Sequence, residues 1–217
     1  MTDNSPESAP TLENLAKRLE NLESLVLTLY GNASFLEYEP FEGGEEQSGT
    51  EGGIISETIA ATVIENAGLE QFIDGLGLNF FRGRELTPFW GRRCGNVRNS
   101  APPRNIWDSI ARTLKVLDRL RGELGTPITI TSTYRNDAYN RCVGGETNSQ
   151  HTLGGAIDFV AGRGTPDEWA SKLRSYRGQT FTLPVIGSFV FRGGIGVYPS
   201  QNFVHIDTRP NSADWRG

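Results

Sequence analysis

The sequence predicts an α+β domain, a small mixed or antiparallel sheet with flanking helices, preceded by an N-terminal coiled-coil helix. Three observations predict it. Leu12, Leu15, Leu19, Leu22, Val26 and Leu29 are spaced 3, 4, 3, 4, 3, which is a heptad seam. Ile106, Trp107, Ile110, Leu114, Leu117 and Leu120 form a second helical stripe. Short apolar runs at 127–131, 155–160, 195–198 and 203–208 have the length and composition of strands.

Each element has its local cause. Thr11 after Pro10 is an N-cap and Gly31-Asn32 a stop signal, so the first helix is expected over 12–30 within an N-terminal segment 1–36. Its strict seam predicts a dimer or trimer; the alternative is an amphipathic helix docked on its own domain. Between Glu37 and Glu57 lie seven Glu, no Lys or Arg and three Gly-containing pairs, so 37–55 is read as an acidic flexible linker. Ser56 then caps a connecting helix over 56–79 that would bury Ile59, Val63, Ile64 and Leu69. The main domain, 80–217, opens on an aperiodic stretch with Phe80, Phe81, Phe89 and Trp90 as anchors. The core helix is expected to stop before Gly122 or Gly125. Thr165-Pro166-Asp167-Glu168 combines an N-cap, an N1 proline and a capping-box Glu for a helix reaching about Tyr176. Pro199-Ser200-Gln201-Asn202 joins the last two strands as a hairpin.

Charge and composition narrow the function. Residues 1–80 carry fifteen acidic side chains against Lys17 and Arg18, a net of −13, while 81–217 carry nineteen basic against eleven acidic, a net of +8. The basic unit suits an anionic polymer such as cell wall, or is simply a solvated face. Its cations form no recognition motif, so a nucleic-acid partner is not expected. No apolar run reaches the roughly 18–20 residues of a membrane span. MTDNSPESAP lacks the basic and apolar regions of a secretory signal, so cytoplasmic synthesis is expected. Two cysteines exclude a disulfide framework or a Cys-based zinc site; Cys94 and Cys142 can form one bridge or remain buried thiols.

The chemistry concentrates in the last third. A turn through Gly154-Gly155 can bring His151 and Asp158, with six residues between them, to one point, and the other histidine of the chain, His205, sits on the closing strand. Two imidazoles and one carboxylate with a position left for water match a catalytic Zn2+ site. Asp207 follows His205 by two on a strand and so shares its face. It is placed as a general base, or alternatively as a carboxylate that holds a ligand or Arg209 from behind.

These residues carry a resemblance. Ser149-Gln150-His151-Thr152-Leu153-Gly154-Gly155-Ala156-Ile157-Asp158 resembles the Ser-x-His-x-x-Gly-x-Ala-x-Asp signature of zinc D-Ala-D-Ala carboxypeptidase-like peptidases, which share a fold with the hedgehog signalling domain. Phe203-Val204-His205-Ile206-Asp207 is similar to their third-ligand strand, and Ile130 to Arg135, Tyr139-Asn140 and Gly144-Gly145 are similar to the same branch. The resemblance runs from about residue 80 to Trp215. It implies His151, Asp158 and His205 as zinc ligands, and Arg135 as the cation facing a substrate carboxylate or developing oxyanion, unless it is a surface loop Arg. It also implies Tyr134 and Ser149 in the substrate site, Ser149 acting through a hydrogen bond rather than as a nucleophile. Relatives often have a Glu three before the last ligand or a His two before it; Asn202 and Phe203 stand there, which leaves Asp207 as the expected base. The expected activity is hydrolysis of D-amino-acid-containing bonds in peptidoglycan stem peptides, by a carboxypeptidase or an endolysin-like endopeptidase. It would act at the wall after lysis or as part of a phage particle. The alternative is a virion or attachment protein that retains the fold and its zinc with weak or no catalysis.

Overall fold

The computed structural model describes residues 68–217. The coiled-coil helix of 12–30, the linker of 37–55, and Ser56, Ile59, Val63 and Ile64 lie outside the described residues. Residues 68–74 are helical and, with the turn that follows, bury Leu69, Ile73, Leu76 and Leu78 in the main core. Leu69, expected to be buried, is so, and the residues just before position 80 contribute to the same core as those after it. Among the described residues no helix is long and apolar enough to cross a membrane.

Helix α1, Trp107–Leu124, is the central helix and buries Trp107, Ile110, Leu114, Leu117 and Leu120, the stripe read from the sequence. It passes Gly122 and stops at Gly125, whose left-handed backbone (φ 58°) turns its N–H to the Arg121 carbonyl. Asp118 is buried on the same helix, where its carboxylate accepts the Asn79 and Phe80 N–H groups at 3.1 and 2.8 Å. That contact fastens the preceding segment to α1. Phe81, Phe89 and Trp90 anchor the wrapped stretch as expected, but Phe80 does not; its ring is 45% exposed, lying over Gly122.

Eleven further strands and helices were legible only in part. Two short strands, β1 (Arg93–Cys94) and β2 (Val97–Arg98), make a small hairpin within the stretch read as loop. The main sheet contains β3 (Ile128–Ser132), β4 (Ala156–Ala161), β7 (Gly194–Tyr198), β8 (Phe203–Asp207) and β9 (Ala213–Arg216), in the order β3-β4-β8-β7-β9. All neighbours are antiparallel except β7 and β9, so the sheet is mixed. A separate hairpin joins β5 (Thr180–Leu183) to β6 (Gly187–Val190). Helix α2 is Asp137–Cys142 and α3 is Pro166–Arg174, the latter with the Thr165/Glu168 capping box in place.

Side-chain alternation divides the main sheet into two faces. Ile157 and Phe159 of β4, Ile195 and Val197 of β7, and Val204 and Ile206 of β8 belong to the core that includes α1 and α3. Asp158, His205 and Asp207 occupy the opposite face, and they too are buried. Gly196 makes this possible: it pairs with His205, and a Cβ there would lie 2.4 Å from the Trp215 ring.

Cys94 and Cys142 form a disulfide, with Cα atoms 6.0 Å apart. Neither is a buried thiol; Cys142 is exposed. The bond ties the β1–β2 hairpin to the end of α2 across a sequence separation of 48. Cys94→Ser is expected to lower stability by about 2–4 kcal/mol, read as a shifted midpoint in denaturant unfolding. An unchanged midpoint would mean that the bridge does not constrain the unfolded chain.

Candidate active site

Strand register assembles the site. In the β4–β8 ladder Asp158 stands directly opposite His205, so a carboxylate and an imidazole share one face as cross-strand neighbours. His151 arrives from the turn before β4. The His151 carbonyl accepts the Gly154 N–H at 3.3 Å and the Arg135 N–H at 3.2 Å, and Gly155 N–H bonds the Gln150 carbonyl at 3.0 Å. Ser149 Oγ accepts the His151 N–H at 3.3 Å, so the motif serine shapes this turn as well as lining the cleft.

The partners of each imidazole fix which nitrogen faces the centre. His151 Nδ1 donates to the Thr133 carbonyl at 2.7 Å, which leaves Nε2 directed at Asp158 Oδ1, 3.2 Å away. His205 is turned the other way: Nε2 donates to Asp207 Oδ2 at 3.2 Å, and Nδ1 faces Asp158 Oδ1 at 2.8 Å. One ligand atom from each of His151, Asp158 and His205 lies within 4.8 Å of the others, all three residues being buried. Burial pushes the His151 pKa down, only partly opposed by Asp158. Burial also works against charged His205, but its bonds to Asp158 and Asp207 outweigh that and push its pKa up. Burial would raise Asp158, yet the two imidazoles overcome it and hold the carboxyl well below the usual carboxylate range. Two imidazole lone pairs converging on an ionised carboxylate in a buried place repel one another unless they share a proton or a cation. The N, N, O donor set fits Zn2+, and each histidine has the carbonyl or carboxylate behind it that metal-ligating imidazoles need.

Arg135 is no surface loop residue. It lines the cleft, its Nη2 bonding Asp158 Oδ2 at 3.1 Å and its Nε and Nη2 holding Ser132 Oγ at 3.0 and 2.8 Å. Tyr134, expected in the substrate site, does not line that cleft. It lies in a neighbouring depression of about 220 Å³ with Phe89 and Tyr139, where burial pushes its phenol pKa up. Arg135 lines this depression as well as the main cleft, so it stands between the two.

Asp207, expected as a base, is not among the residues that line the cleft. It does share the His205 face, but it is fully buried and its carboxylate accepts the Gly194 N–H (2.9 Å), the Arg209 N–H (3.0 Å), the Arg209 guanidinium and His205 Nε2. Burial alone would raise its pKa; those donors outweigh it and hold the carboxyl well below the usual carboxylate range. Both oxygens are thus engaged, an arrangement suited to a carboxylate that orients His205. Asp207→Asn is therefore expected to weaken zinc binding by about ten- to hundredfold in chelator competition. A lower hydrolysis rate with zinc affinity unchanged would restore it as the base.

The cleft encloses about 530 Å³ and has features that motif reading missed. Tyr198, Phe203 and Trp215 form an aromatic wall: the first two rings stack at 4.3 Å, and Trp215 Nε1 donates to Tyr198 Oη at 2.8 Å. Phe203 could have been found from its even spacing to His205, whereas Trp215 reaches the site only through the β7–β9 pairing. Glu146 and Asp158 are the carboxylates of the described lining, and Glu146 is exposed on the rim. Its loop is held by Asn140, which donates to the Glu146 carbonyl at 2.9 Å and lies where a Cβ on Gly145 would clash.

A family model described as Peptidase M15 matches residues 81–207. The chain is also 36% identical over 148 residues to the peptidoglycan L,D-endopeptidase MepK of Escherichia coli (strain K12), and equally to that of Shigella flexneri, covering 64% of this chain and 69% of each relative. No solved structure matches significantly.

Proposed function

The chain belongs to the peptidase M15 family, and from that premise we propose that it is a zinc-dependent peptidase acting on peptidoglycan stem peptides, with the L,D-endopeptidase specificity named for its relatives. The observation that carries the reading is the buried convergence of His151, Asp158 and His205 at the floor of a cleft that also contains Arg135. His151 Nε2, the Asp158 carboxylate and His205 Nδ1 would hold the metal. Zinc in that place supplies a Lewis acid for the scissile carbonyl and acidifies water toward a pKa of about 7.

The chain's own residues do the rest. The Thr133 carbonyl and Asp207 each take the N–H of one histidine, so both imidazoles present a lone pair in a fixed orientation. Arg135 is pinned by Ser132 and Asp158, which supports its reading as a fixed cation for the negative charge that develops on the carbonyl oxygen. The aromatic wall offers an apolar surface to the peptide and keeps water from that side. No nucleophilic side chain is needed, so hydrolysis proceeds without an acyl-enzyme. The net +8 of residues 81–217 favours approach to an anionic wall.

A second reading, an attachment or virion protein that keeps the fold for binding, rests on one observation. Asn202 and Phe203 stand where a proton acceptor is expected, and Asp207 is occupied. Incubation with purified peptidoglycan separates the two. The enzyme reading expects new amino groups to appear, to stop with a chelator and to return with added zinc. Zinc binding without any amine release would favour the attachment reading.

A further inference from the structure

Arg209 has no role in the reading above beyond its contact with Asp207, yet it lines the cleft with its side chain 30% exposed. Its Nε and Nη2 are taken by the Asp207 carboxylate, and its guanidinium carbon sits 5.3 Å from the centre of the Trp215 ring. Its Nη1 makes no hydrogen bond to any described residue. The result is a guanidinium locked on one edge and one face, with an unused N–H pair at the cleft. A guanidinium immobilised before binding gives up little rotamer entropy when it meets an anion, and its planar geometry matches a carboxylate. Sheet order separates it from Arg135: Arg135 follows edge strand β3, the donors Asp158 and His205 are on β4 and β8, and Arg209 follows β8 beside Trp215 of β9. The cleft thus has a second fixed cation, displaced from the scissile position toward the aromatic wall.

We propose that Arg209 is a specificity-determining residue, whose Nη1 edge binds a free carboxylate of the stem peptide lying away from the bond being cut. The proposal rests on the peptidoglycan reading. Stem peptides offer that chemistry, since their D-glutamate and diaminopimelate residues carry carboxylates that are free or amidated. Arg135 then serves the reacting carbonyl while Arg209 selects the acidic form of the substrate and holds it along the wall.

The test compares two synthetic stem peptides of one sequence, the first with free carboxylates and the second with those groups amidated, on zinc-loaded full-length protein. The expected ratio of kcat/KM, acid over amide, is about tenfold or more for the unaltered chain, the scale of one charge-assisted hydrogen bond. Arg209→Gln should bring that ratio close to one. A residue that acts only by holding Asp207 would slow both peptides equally and leave the ratio as it was, so an unchanged ratio overturns the proposal. Arg209→Lys keeps a cation beside Asp207 without the guanidinium edge, and it carries the test if the Gln variant does not fold; a ratio reduced at least about threefold supports the proposal and an unaltered one overturns it. Cleavage of both peptides at equal rates by the unaltered chain also overturns it while sparing the peptidoglycan reading. Cleavage of neither overturns both.

Discussion

His205→Ala is expected to abolish stoichiometric zinc binding and to lower peptidoglycan hydrolysis by more than the roughly hundredfold that loss of a group behind a ligand costs. The reason is the position of His205 at the centre of the contacts: its Nδ1 faces Asp158, its Nε2 satisfies Asp207, and its ring packs against His151 and Trp215 at centroid distances of 5.0 and 5.1 Å. Alanine removes one of three donors and leaves Asp158 facing a single imidazole. Elemental analysis of the purified variant, with circular dichroism to verify folding, checks the outcome. Zinc retained at one per chain would place the metal elsewhere.

The second large effect is expected at Arg135. Arg135→Gln should lower kcat by about 10²–10³-fold, the cost of removing one fixed donor to a developing oxyanion, while zinc content stays at one per chain. Lysine should not rescue it, because an ammonium cannot bond Ser132 Oγ and Asp158 Oδ2 from one rigid plane. The division between parameters is informative: a raised KM at unchanged kcat would make Arg135 a group that binds substrate and transition state equally.

Much of this site could be read before any fold was known, for a physical reason. Period-two alternation tells which residues share a face, and a hairpin of fixed loop length sets register, so the β7–β8 pairing and the inward direction of His205 follow from the residues around Pro199-Asn202. The turn through Gly154-Gly155 likewise makes the approach of His151 and Asp158 local. What alternation does not tell is what a side chain meets on its face. Asp207 looked like a base because it lies on the correct side, but Gly194 of β7 and Arg209 two residues downstream occupy it completely. The same limit applies to Tyr134, to the packing of Ile73 in the main core, and to the pairing of Cys94 with Cys142, all of which depend on contacts distant in sequence. The aromatic wall was missed because Trp215 belongs to a strand that joins the sheet in parallel after an irregular connection, which leaves no hairpin signal.

Mass spectrometry of the muropeptides left after digestion of purified sacculi tests the central claim most directly. The account predicts that zinc-loaded full-length protein converts intact stems into fragments cut between an L- and a D-residue, and that His205→Ala leaves the muropeptide profile unaltered. Sacculi with an unchanged profile after prolonged incubation with the zinc-loaded protein would contradict it.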